Sequence, residues 1–110
     1  MDRVSQRKIV TELLEEYAQY PPAHGQIEME TIFDVERDRY QLMAIGWQGP
    51  RRVHGCLIHI DIREDKIWLQ HDSTDAEIAN ELVERGVPRE RIVLGFYPER
   101  RRQYTGFSVN

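Results

Sequence analysis

At 110 residues, with 40% hydrophobic and 31% charged side chains, the chain has the composition of one well-solvated folded domain covering 1–110. No apolar run approaches the roughly 20 residues that cross a bilayer, MDRVSQRKIV lacks the apolar region of a signal peptide, and the lone Cys56 excludes an internal disulfide. The expectation is a cytoplasmic protein without membrane attachment. The net charge of −4 is divided unevenly, because six arginines from Arg85 onward face only Glu90 and Glu99, leaving +4 at that end and −8 on the body. An acidic body disfavours autonomous DNA binding, whose affinity comes largely from neutralised phosphates.

The first element is an amphipathic helix near Asp2 to Gln19. Ile9, Val10, Leu13, Leu14 and Tyr17 recur at helical spacing, and Gln6, Arg7, Glu12 and Glu16 take the wet side. Pro21-Pro22 ends it, since neither ring donates a helical hydrogen bond. From Ile27 the period changes to two, with Ile27, Met29, Phe33 and Val35 alternating with acids. The cluster Glu36 to Arg39 reverses the chain into YQLMAIGW, and Gln48-Gly49-Pro50-Arg51 turns it again. Val53 to Ile62 and Lys66 to His71 follow, separated by a tight turn at Glu64-Asp65. Connections this short make the four strands an antiparallel meander.

Two-residue hairpin loops set Ile62 opposite Ile67, Ile60 opposite Leu69 and Met43 opposite Cys56. One face then gathers Ile32, Met43, Ile45, Trp47, Cys56, Ile58, Ile60, Ile62, Ile67 and Leu69. The other carries Met29, Phe33, Tyr40, Leu42, Val53, Leu57 and Trp68. Two apolar faces exceed what a few short helices cover, so a homo-oligomer formed through the sheet is expected.

A second helix opens with Thr74 and Glu77 spaced as a capping box. It buries Ile78, Ala79, Leu82 and Val83, and Gly86 terminates it. Pro88 starts a further helical turn, IVLGF reads as a short buried strand, and Phe107 and Val109 alternate as in a last edge strand. The fold class is therefore α+β: a four-stranded antiparallel meander with an N-terminal helix, a helix after the sheet and a short C-terminal strand or tail.

Reactive chemistry is sparse. His59, Asp61 and His71 are the one imaginable metal set, but the unbulged register places His59 and His71 on opposite faces. Cys56 shares a face with His54, yet its aliphatic neighbours make a core thiol the expectation. No catalytic residues, cofactor or metal are expected. What remains is an interaction surface at the C-terminal end, where Arg100, Arg101 and Arg102 lie beside Tyr97, Tyr104 and Phe107, the guanidinium and aromatic mixture enriched where proteins bind one another.

The segments ETIFDVERDRYQLMAIGW, RRVHGCLIHIDI, KIWLQHDSTD with AEIANELVERGVP, ERIVLGF and RQYTGFSV resemble, in order and spacing, the XisI family of fdxN-element excision controlling factors from heterocyst-forming cyanobacteria. Asp72-Ser73-Thr74-Asp75 stands where that pattern has D-G-T-E, and Tyr97 where it has His. The resemblance implies a non-enzymatic accessory factor in programmed DNA rearrangement, acting with an XisH-like protein and reaching DNA indirectly through a recombinase. Two other readings stand beside it. One is direct DNA binding through Arg89, Arg91 and Arg100 to Arg102; the other is a small metal-dependent enzyme using His59, Asp61 or His71.

Overall fold

The computed structural model describes residues 1–110. Helix α1 (Arg3–Ala18) is capped by Asp2, whose Oδ1 accepts the Ser5 N–H at 2.7 Å, and it stops at Gln19 ahead of the proline pair. Val10, Leu13 and Leu14 are wholly buried, as the apolar spacing predicts, but so is Gln6, expected on the wet side, whose Nε2 donates to the Asp65 carbonyl at 2.7 Å. The strands are β1 (Gln26–Asp34), β2 (Arg39–Gln48), β3 (Arg51–Arg63), β4 (Lys66–Asp72) and β5 (Ile92–Leu94). They form one sheet in the order β1-β2-β3-β4-β5.

The first four strands are the expected antiparallel meander, with Ile62 opposite Ile67, Ile60 opposite Leu69 and Met43 opposite Cys56. IVLGF adds a fifth strand, and β5 runs parallel to β4. Helix α2 (Ile78–Glu84) lies between them in the chain and makes room for a parallel return. A 3-10 turn (Arg89–Arg91) precedes β5, and the short helix α3 (Glu99–Arg102) follows it.

Two bulges correct the expected faces. Between Met43 opposite Cys56 and Leu42 opposite Ile58, Leu57 is the extra residue on β3. The ten-residue apolar face therefore splits at that point. Ile58, Ile60, Ile62, Ile67 and Leu69 turn inward and join Tyr40, Leu42, Met29 and Phe33 in one core with α1 and α2. Ile32, Met43, Ile45, Trp47 and Cys56 stay on the outer face, which Trp68 shares through its pairing with Asp61. The inward set is nearly all below 5% exposed on β2 to β4, and each such aliphatic side chain contributes about 1.5–3 kcal/mol by leaving water. The second bulge leaves Gln70 unpaired on β4 and sets His71 directly opposite His59. These histidines share a face, contrary to the unbulged register.

The start of α2 also differs. Glu77 is the N-cap, but it sits in left-handed backbone at φ 51° and makes no side-chain cap bond. Asp72 does the capping instead. Its Oδ1 accepts from Thr74 N at 2.9 Å and Thr74 Oγ1 at 2.6 Å, while Oδ2 accepts from Ile78 N at 3.2 Å. The helix end is as expected: Gly86, at φ 104°, closes a Schellman motif in which Gly86 N donates to Val83 O and Val87 N to Leu82 O.

The expected edge strand at Phe107 to Val109 shrinks to one bridge, with Ser108 N donating to Ile92 O at 2.8 Å. Gly106, at φ 83°, breaks any extended run before it.

A buried polar node ties α1 to the sheet. Asp38, 4% exposed in the β1–β2 turn, accepts from Arg7 Nε at 2.7 Å and Tyr40 Oη at 2.8 Å, with Arg3 3.5 Å away. Burial pushes this carboxyl up, but the two hydrogen bonds and the two guanidinium charges outweigh it and hold it below its ordinary value.

Candidate functional site: an interaction surface

The helices α1 and α2 contribute to the core on the inner side of the sheet. On the outer side the C-terminal segment covers only the β4–β5 border. Arg102 lies 5.1 Å from the Trp68 ring centre, and Lys66 Nζ donates to Ser108 Oγ at 3.0 Å and to the Asn110 carbonyl. The outer face of β1 to β3 is left open. Ile32 and Trp47 are 47% and 49% exposed there, with Met43, Ile45 and Cys56 half-buried between them. Arg52 stacks on Trp47 at 5.3 Å.

Near one end of this face lies Asp61, 1% exposed. The alternation His59-Ile60-Asp61-Ile62-Arg63 puts the three polar side chains on one side of β3, and Arg39 stands opposite Asp61 on β2. Asp61 accepts from His59 Nε2 at 2.8 Å, Arg63 Nη2 at 3.0 Å and Gln70 Nε2 at 3.2 Å, with Arg39 Nε at 3.6 Å. A carboxylate so fully engaged by donors and cations has its lone pairs occupied within the protein, leaving little room for a substrate contact. His71 is exposed, and no three His, Cys, Asp or Glu side chains converge on one point. The Cys56 thiol donates to Ile58 O at 3.2 Å, and burial pushes its pKa up. It lies half-buried on the outer face, a correction to the core placement, but its protonated state still makes it a poor nucleophile.

The six residues singled out near the C-terminus divide in two. Arg102 and Phe107 face their own protein: Arg102 Nε donates to Tyr97 O at 3.0 Å and Nη1 to Val109 O at 3.2 Å, and Phe107 packs on the core beneath Arg89, 4.9 Å away. Arg100, Arg101 and Tyr104 form the outward group, and Tyr97 lies between the two sets, half-buried against the core. Arg101 stacks on Tyr97 at 5.0 Å, Tyr104 is 82% exposed, and neither Arg100 nor Arg101 enters an ion pair. Tyr97 also borders a cleft with Asp72, Thr74, Asp75 and Phe96 at the ends of β4 and β5. The i, i+2, i+4 spacing of His59, Asp61 and Arg63 is the sequence signal of the Asp61 ring, whose other members, Arg39 and Gln70, come from the neighbouring strands and carry no such signal.

No curated protein matches the chain. The family model described as XisI protein matches residues 1–109. A solved XisI-like protein from Anabaena variabilis is 46% identical, with a TM-score of 0.89 over 97% of this chain and 98% of its own. A second solved protein from Anabaena variabilis, the fdxN element excision controlling factor XisI, is 29% identical, with a TM-score of 0.81 over 97% of each chain. The chain belongs to the XisI family.

Proposed function

We propose that this chain is a non-enzymatic controlling factor in excision of an fdxN-type DNA element, acting by docking on a protein partner of the XisH kind. Family membership over nearly the whole chain supports the biological setting. The observation that carries docking is the outward group at the C-terminal end. Arg100 and Arg101 hold unpaired charge beside the exposed Tyr104 and the stacked Tyr97. Such a patch offers cationic and aromatic contacts to an acidic partner surface without first breaking internal bonds. The saturated Asp61 and the protonated Cys56 support a role without covalent or acid–base chemistry.

The test is co-purification with the XisH-like protein of the same host. The wild-type chain is expected to retain it at micromolar concentration, and Arg101→Ala with Tyr104→Ala to weaken the complex by about tenfold or more. A wild-type chain that fails to associate would refute the reading. Direct DNA binding through Arg89, Arg91 and Arg100 to Arg102 is the competing reading, and a steep fall of DNA affinity with salt would favour it. Two of its five arginines, Arg89 and Arg102, are already engaged in holding the tail.

A further inference from the structure

The open outer face has a charge pattern that selects its occupant. Pairing across β1, β2 and β3 defines rows: Gln26, Trp47 and Arg52; Glu28, Ile45 and His54; Glu30, Met43 and Cys56; Ile32, Gln41 and His59; and, at the end, Asp34, Arg39 and Asp61. In that last row Arg37 pairs with Asp34, and Arg39 and Arg63 pair with the buried Asp61, so these two acids are neutralised within the chain. The middle column is largely apolar, the β1 column carries Glu28 and Glu30, and the β3 column carries Arg52 and two histidines. The face is thus oily at its centre, acidic on one flank and basic on the other.

We infer that a second copy of this chain covers this face, with a twofold axis running along β2. Rotation about that axis keeps each row at its own level and exchanges the flanks. Trp47, Ile45 and Met43 then meet their own counterparts, while Glu28 of one copy comes over His54 of the other and within reach of its Arg52. A twofold axis perpendicular to the strands would instead lay the β1 column on itself and bring Glu30 or Glu28 against Glu30. The same conflict attends pairing of two β1 edges in antiparallel register about Glu30. Like charges in contact disfavour both alternatives, and flank exchange is the arrangement in which charge and apolar contact agree. Sheets packed face to face align their strands within about 30°, so rows stay matched over the short length involved. The outward group at the C-terminal end lies beyond the β4–β5 border and stays free, so this assembly is independent of the partner reading.

The purified full-length chain is tested by sedimentation velocity over a micromolar concentration series. A dimer of the 13.1 kDa chain is expected. Ile45→Lys, in the central column and already half-exposed, is expected to yield a folded monomer by circular dichroism. Glu28→Arg is expected to weaken association by about tenfold, the order for a like-charge contact, and Glu28→Arg with Arg52→Glu to restore it. Independently of variant stability, a short bismaleimide should link copies carrying Ile45→Cys in a Cys56→Ser background and fail to link copies carrying Glu28→Cys. A wild-type monomer overturns the inference. So does a dimer indifferent to Ile45→Lys, a failed charge swap, or cross-linking at position 28 in preference to 45.

Discussion

Replacing Tyr40 by Phe probes the node that fastens α1 to the sheet. Tyr40 is fully buried and its hydroxyl has one partner, Asp38 Oδ1 at 2.8 Å. The ring would keep its tilted contact with Phe33, centroids 5.6 Å apart, so the change removes one hydrogen bond and little packing. Asp38 retains Arg7 and Arg3, which limits the loss at neutral pH to about 1–2 kcal/mol. The larger signature is alkaline. Burial first, then the hydrogen bond to Asp38 and its negative charge, push the phenol up to about 12 from its ordinary 10.0. An acid that holds its proton more tightly in the folded state contributes its full stabilisation below the ordinary value, and that contribution is lost as pH climbs through the raised one. Two units correspond to about 2–3 kcal/mol, surrendered between roughly pH 10 and 12. Urea denaturation at stepped pH should show wild type falling toward Tyr40→Phe across this window, and absorbance titration of tyrosinate should lose its late component in the variant. Parallel stability curves, or an unchanged titration, would refute the reasoning.

Other substitutions test local geometry. Glu64 and Asp65 both occupy left-handed backbone, at φ 49° and 65°, in the β3–β4 turn, so Glu64→Asn should raise stability by about 0.5–1 kcal/mol, read as an increase in Tm. Gly46→Ala would place a Cβ 2.0 Å from the Gln26 carbonyl oxygen; β1 must shift, and denaturant unfolding should register a loss of about 2–3 kcal/mol. Asp72→Ala strips three hydrogen bonds from the loop and start of α2, with an expected loss of about 1–2 kcal/mol and faster amide exchange confined to residues near 74–82. Uniform exchange acceleration would contradict that assignment.

The helix α1 and the meander were legible because their periods, 3.6 and 2, are unmixed and the turns at Gly49-Pro50 and Glu64-Asp65 admit two-residue loops. The Leu57 bulge was not. It falls inside Cys56-Leu57-Ile58, where every side chain is apolar and alternation carries no mark of a change of side. Thr74 and Glu77 had capping-box spacing, yet Asp72, two residues upstream, reaches both Thr74 and Ile78 and displaces them. At the candidate surface the mixture of arginine and aromatic groups was visible. Which of them hold the tail depends on Trp68 and Arg89, partners remote in sequence from Arg102 and Phe107, and only the packed fold brings those together.

The sheet finishes differently at its two borders. Beside β5 the tail bridges to the strand and shelters it, whereas β1 presents nine residues of backbone with no neighbour on one side. An unguarded border of that length invites stacking of chain upon chain, and Glu28 and Glu30 are the features that discourage it. Variants that replace both acids with aliphatic residues should therefore drift toward fibrous deposits on storage, even where the isolated fold is no less stable.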